Sequence, residues 1–61
     1  MSQLNQIELQ NLRHLIGAHE TANQKLQAYA EQATDPELKQ FFQDGAQAAM
    51  NTKQQLLGFL N

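Results

Sequence analysis

Proline occurs once in the 61 residues of this chain, at position 36, and the residues around it divide the sequence into two helices. In Thr34-Asp35-Pro36-Glu37-Leu38 the proline disfavours helical geometry at the preceding residue, which stops whatever helix comes before. The same proline is tolerated at the first position of a new helix, where its missing N–H has no partner to lose. Asp35 offers an N-cap oxygen, and Asp35 and Glu37 bring negative charge to the positive end of the new helix dipole. Thr34 with Glu37 makes an overlapping capping box, so the cap falls at either Thr34 or Asp35.

The first helix is expected over 6–33. Asn5 and Glu8 have the spacing of a capping box, and Leu4 and Leu9 that of a hydrophobic staple. From there Leu12, Leu15, His19, Ala22, Leu26, Tyr29 and Ala33 recur in alternating steps of three and four, the period of one helical face. Leu9, Ile16 and Ala30 lie beside that line and widen it into the stripe of a bundle helix. Gly17 falls on the opposite face, where it costs up to about 1 kcal/mol of helix propensity and disturbs no packing. The second helix, expected over 36–60, repeats the pattern in Leu38, Phe42, Gly45, Ala49, Thr52, Leu56 and Phe59, flanked by Phe41, Ala48, Leu57 and Leu60. A link this short makes the helices antiparallel neighbours. The fold class is all-α, an antiparallel two-helix hairpin.

Folding the chain about residues 34 and 35 sets Leu26 level with Gln43, Ala22 with Gln47 and His19 with Met50. Small residues then face one another at mid-height, with Thr21, Ala22 and Asn23 across from Gly45, Ala46, Ala48 and Ala49. Larger ones gather at the ends: Tyr29, Phe41 and Phe42 near the turn, Leu12, Leu15, Leu56 and Phe59 near the termini. Such a waist either draws the helices together or leaves room for a ligand. Empty apolar space is costly, which favours close approach.

A chain of this length sits below the size at which one core is comfortably stable alone, and the usual remedies are disulfides, a metal or oligomerisation. There is no cysteine, which removes the first remedy together with thiolate metal sites. The stripes are also broader than one hairpin can cover. A second copy is therefore expected to complete an antiparallel four-helix bundle. The dimer interface is expected to include Leu12, Leu15, Ile16, His19, Leu26, Phe41, Phe42, Ala49, Leu56 and Phe59.

Charge and residue inventory narrow the function further. The formal charge is −2, and the four basic residues Arg13, Lys25, Lys39 and Lys53 are dispersed, so no nucleic-acid partner is expected. No apolar run is long enough for a membrane span, and Met1 to Asn5 lacks the charged start of a secretory signal; a cytoplasmic location is the expectation. Polarity comes largely from eleven Gln and five Asn, a hydrated but weakly repulsive surface suited to packing against protein. Carboxylate-bridged iron sites in four-helix bundles need Glu-x-x-His. Three residues after Glu8, Glu20, Glu31 and Glu37 stand Asn11, Asn23, Thr34 and Gln40. His14 and His19 are about 140° apart around a helix and cannot chelate one ion from one chain. Nucleophilic catalysis finds only Ser2, at a terminus, and threonines without an adjacent base. No metal, no cofactor and no enzymatic activity are expected. His19, on the core-facing stripe, is either a hydrogen-bonded interface residue or a pH-sensitive one.

The stretch from Leu12 to Leu60 resembles the Coat F family of spore-coat proteins and its ferritin-like neighbours in endospore-forming bacteria. The resemblance is carried by Leu12-Arg13-His14-Leu15-Ile16, by Ala28-Tyr29-Ala30, and by Thr34-Asp35-Pro36-Glu37-Leu38-Lys39-Gln40-Phe41-Phe42. It implies a ferritin-like helical arrangement, no catalysis, a place in a spore coat or sporulating cell, and coat or other helical-bundle proteins as further partners. The chain supplies half of a four-helix unit and lacks ferritin's metal ligands, so self-association is expected and iron chemistry is not. The competing expectation is a module that binds a different protein, or a bundle that holds a small ligand or metal through the waist and His19.

Overall fold

Helix α1 spans Gln6–Gln32 and its start is fixed by Asn5 and Glu8. The Asn5 side chain accepts from the Glu8 N–H at 2.7 Å, and the Glu8 carboxylate accepts from the Asn5 N–H at 3.1 Å, so two otherwise orphaned donors are satisfied reciprocally. Leu4 and Leu9, the expected staple, are both half-buried. The helix ends at Ala33, whose backbone is extended and whose N–H closes the last turn on the Tyr29 carbonyl at 2.9 Å. This computed structural model describes residues 3–60. Ser2 and Met1, read above as the one serine, at a terminus, and as part of a non-signal start, lie outside them.

Helix α2 spans Pro36–Leu57. Of the two possible caps the chain uses Asp35, whose carboxylate accepts from the Leu38 N–H at 2.8 Å. The expected helical stretch to residue 60 is continuous but tightens at its end into a 3-10 turn over Gly58–Leu60. Gly58 is the weak helix former where the change occurs, and terminal turns commonly tighten in this way to satisfy the last carbonyls. Among the described residues there is no strand, and the two helices lie antiparallel in a body 46 × 16 × 11 Å.

The line of closest packing is rotated from the one drawn through Leu15, Ala22 and Tyr29. On α1 the seam runs through Leu12, Ile16, His19, Asn23, Leu26 and Ala30; on α2 it runs through Phe42, Ala46, Ala49, Lys53 and Leu56, all buried or half-buried. Each is again a series of threes and fours. The apolar stripe on each helix is wider than the strip a single neighbour can touch, and small residues decide which part is used. A β-carbon on Gly45 would stand 3.2 Å from Leu26 Cδ1, so close approach, not a gap, occupies the waist at that level. Among the described residues only Leu12, Ala30, Ala46 and Ala49 are buried apolar residues, and no side chain is less than 2% exposed.

Gly17 has open space where a β-carbon would stand and no positive φ. Gly17→Ala is therefore expected to raise stability by about 0.5–1 kcal/mol through helix propensity alone, measured by urea or thermal unfolding at fixed protein concentration.

Candidate interaction face

The hairpin has two flanks where the helices meet, and they differ in chemistry. One groove, about 370 Å³, is lined by Asn23, Gln27, Glu31, Lys39, Gln43 and Gln47 with the small Ala30 and Ala46 beneath. The other, about 280 Å³ near the termini, is lined by Leu4, Leu12, Leu15, Leu56 and Phe59 with Glu8 and Asn11. The second groove opens onto a longer apolar face. Phe41 is five full turns from Phe59, and Tyr29 five full turns from Asn11, so each lies on the same side as its groove-lining counterpart. Leu15, Ala22 and Tyr29 recur every seven residues along the α1 edge of this face, and Leu38, Gly45, Thr52 and Phe59 along the α2 edge.

Large apolar side chains stand open there. Phe41 is 70% exposed, Phe59 50%, Tyr29 48%, Leu38 46% and Leu15 44%. Tyr29 and Phe42 pack tilted at 5.7 Å between ring centroids, and Phe41 sits edge-on to Phe42 at 6.3 Å, so Phe42 is held in the seam while Phe41 projects from it.

The ten residues expected at a dimer interface thus fall into three groups. Leu12 and Ala49 are buried within the hairpin. Ile16, His19, Leu26, Phe42 and Leu56 are half-buried along the seam or its margins. Leu15, Phe41 and Phe59 are exposed on the open face. Tyr29 and Leu38 belong with the last group. Their heptad relation to Leu15 and Phe59 was the signal for them. Ile7, 70% exposed at the outer edge of α1, is off both lines and had no periodic signal.

Polar contacts set how the helices mate. Asn23 is buried, donates through Nδ2 to the Ala46 carbonyl across the seam at 2.7 Å, and accepts from Gln27 Nε2 at 2.8 Å. A buried amide tied to one carbonyl holds register, because any slip leaves it unpaired. Sequence reading placed Asn23 in the waist but gave it no role. Nearer the termini, Lys53 Nζ lies 2.7 Å from Glu20 Oε1. That hydrogen bond, and then the ammonium charge, hold the Glu20 carboxyl below its ordinary 4.5. His19 Nδ1 lies 2.8 Å from the Leu15 carbonyl on its own helix; in the tautomer that donates this bond, the ring is tied to α1 rather than to α2.

Among the described residues no three His, Asp or Glu side chains gather where they could hold one ion, and no helix is long and apolar enough to cross a membrane.

Asn23→Ala is expected to lower stability by about 1–2 kcal/mol at fixed concentration, from a lost hydrogen bond and a small void. A carboxylate with a depressed folded pKa adds stability above its ordinary pKa that is lost as pH falls through the folded value. Lys53→Met should therefore return the Glu20 titration, followed by carboxyl NMR, upward toward 4.5 and reduce the acid-side loss of stability.

No family model matches this chain, and comparison with curated proteins and with solved structures finds no match for it either.

Proposed function

We propose that this protein is a non-enzymatic, self-associating helical hairpin whose open face is covered by a second copy, giving an antiparallel four-helix bundle with a structural or protein-interaction role. One observation carries the reading: on both helices the apolar stripe exceeds the seam, and five of the seven large apolar side chains exposed among the described residues, Leu15, Tyr29, Leu38, Phe41 and Phe59, lie on the same flank. A surplus scattered around the hairpin would be ordinary surface; a surplus gathered on one side is a face.

Dimensions support it. A flank 46 Å long and 16 Å wide offers on the order of 700 Å² in projection, close to the roughly 800 Å² per partner of a standard stable interface. The thin interior supports it too, since the four small or medium buried apolar residues among those described make a poor core for a chain that must stand alone. A role in a spore coat rests solely on the resemblance carried by the residues around the turn and early in α1. If the protein forms such bundles, its place there would be as a building unit or a docking point for other helical proteins.

Sedimentation equilibrium combined with far-ultraviolet circular dichroism tests the proposal. Helicity and thermal midpoint should rise with protein concentration as dimer forms. Phe41→Asp should shift the protein toward monomer by at least tenfold in dissociation constant, because it puts a charge where an apolar ring is to be covered. Phe42→Asp should impair folding as well as association, because that ring lies in the seam. A compact monomer that melts cooperatively at every concentration would overturn the proposal, and a chain that is poorly folded until another protein is added would point to a heterologous partner instead.

A further inference from the structure

The open face carries opposite charge on its two rims, and this bears on how a second copy would lie. On α1, Lys25 stands one step outside the line Ala22–Tyr29, being three residues after one and four before the other. The inner neighbour of that line is Leu26, which packs on Gly45, so Lys25 is on the outer rim. On α2, Asp44 stands in the same relation to Phe41 and Ala48, and there the inner neighbour is Gly45. Both rim residues are exposed. Lys25 has no ion pair within the hairpin, where the Lys53–Glu20 bridge is the one formed among the described residues; Asp44 accepts a hydrogen bond only from Gln40 of its own helix, at 2.8 Å.

The two charges are also at one height. The Asn23–Ala46 hydrogen bond sets the level of the antiparallel pair, and two positions along from it, toward the turn on both helices, come Lys25 and Asp44. The remaining charged or titratable groups on these rims are His14 on the α1 side and Glu37 on the α2 side, with Glu8 at the terminal groove.

Two twofold axes can bury this face against itself. An axis across the hairpin lays α1 on its own copy and α2 on its own copy, turns at opposite ends, and stacks the Lys25 rim on the Lys25 rim and the acidic rim on the acidic rim. An axis along the hairpin lays α2 of one copy on α1 of the other, turns at the same end, and keeps every height unchanged. Resting on the self-association reading, the geometry points to the second arrangement. Lys25 of each protomer then faces Asp44 of its partner, Glu37 comes level with Gln32, and His14 with Gln55. The same operation sets Tyr29 over Phe41 and Ala22 over Ala48, large on large at the turn end and small on small at mid-height; the crosswise axis also matches large ends and a small waist, so shape permits both and charge selects between them. Exposed pairs of this kind contribute little to affinity, and their effect lies in choosing one orientation over another. The self-complementarity of the rims is also what favours a copy of this chain over an unrelated helical partner.

The absence of cysteine makes the test direct. Ala22→Cys and Ala48→Cys proteins are prepared separately, mixed in equal amounts and oxidised. In the lengthwise arrangement positions 22 and 48 of opposite protomers face each other within disulfide reach, while like positions sit diagonally apart. The mixed disulfide should dominate and neither protein should link efficiently to itself. In parallel, Lys25→Glu and Asp44→Lys should each weaken the dimer about tenfold, with the Lys25→Glu/Asp44→Lys double variant restoring it. Efficient self-linking of Ala22→Cys, or dimers insensitive to the charge reversals with no mixed disulfide, would overturn the lengthwise arrangement and leave self-association standing. Monomers by sedimentation would overturn both.

Discussion

A helix can touch one neighbour along only a narrow strip, and each helix here carries an apolar stripe wider than that strip. The structure follows from this mismatch. The strip in use runs through small residues, Ala30, Ala46 and Ala49 with Gly45 against Leu26, because these allow the backbones to approach. Most of the bulky remainder, Leu15, Tyr29, Leu38, Phe41 and Phe59, is displaced to one flank. A hairpin that had put the bulky residues in the seam would be thicker and better buried, but its helices would stand further apart and Asn23 would not reach the Ala46 carbonyl.

Polar groups in the seam do a different task from the apolar ones. The Asn23 amide has both its ends engaged, and no buried side-chain nitrogen or oxygen among the described residues lacks a partner. Burial of an amide in this way adds a modest net stability, about 1 kcal/mol per hydrogen bond, since water satisfies it when unfolded. Its effect is to penalise misregistered pairings, as a single polar residue does at a coiled-coil seam. Lys53 and Glu20 add a second, weaker check further along, half in solvent and therefore modest in strength.

Local features were legible in the sequence and relational ones were not. Asn5 with Glu8 and Asp35 with Pro36 announce helix starts because a cap involves residues three or four apart, all visible in one short window. The choice between Thr34 and Asp35 needed coordinates, since both satisfy the same spacing. Periodicity gave each stripe its width but not the strip along it that makes contact, because that depends on the opposing helix. The line through Leu15, Ala22 and Tyr29 is as regular as the line through Ile16, Asn23 and Ala30; Ala46 and Ala49 across the gap select the second. The ten expected interface residues read alike in the sequence, and packing alone separates Leu15, Phe41 and Phe59, exposed on one flank, from Leu12 and Ala49, buried within the hairpin.

The grouping of Leu4 and Phe59 around one groove means that these two positions, 55 residues apart in sequence, lie side by side at one pole of the hairpin. In an unfolded chain of this size they would wander several tens of ångströms apart. A pair of dyes, one near each end, would therefore report opening of the hairpin as a loss of energy transfer, at dilutions where spectroscopy of the backbone is blind. Cargo attached at either of these positions would emerge from that pole, far from the Asp35 turn.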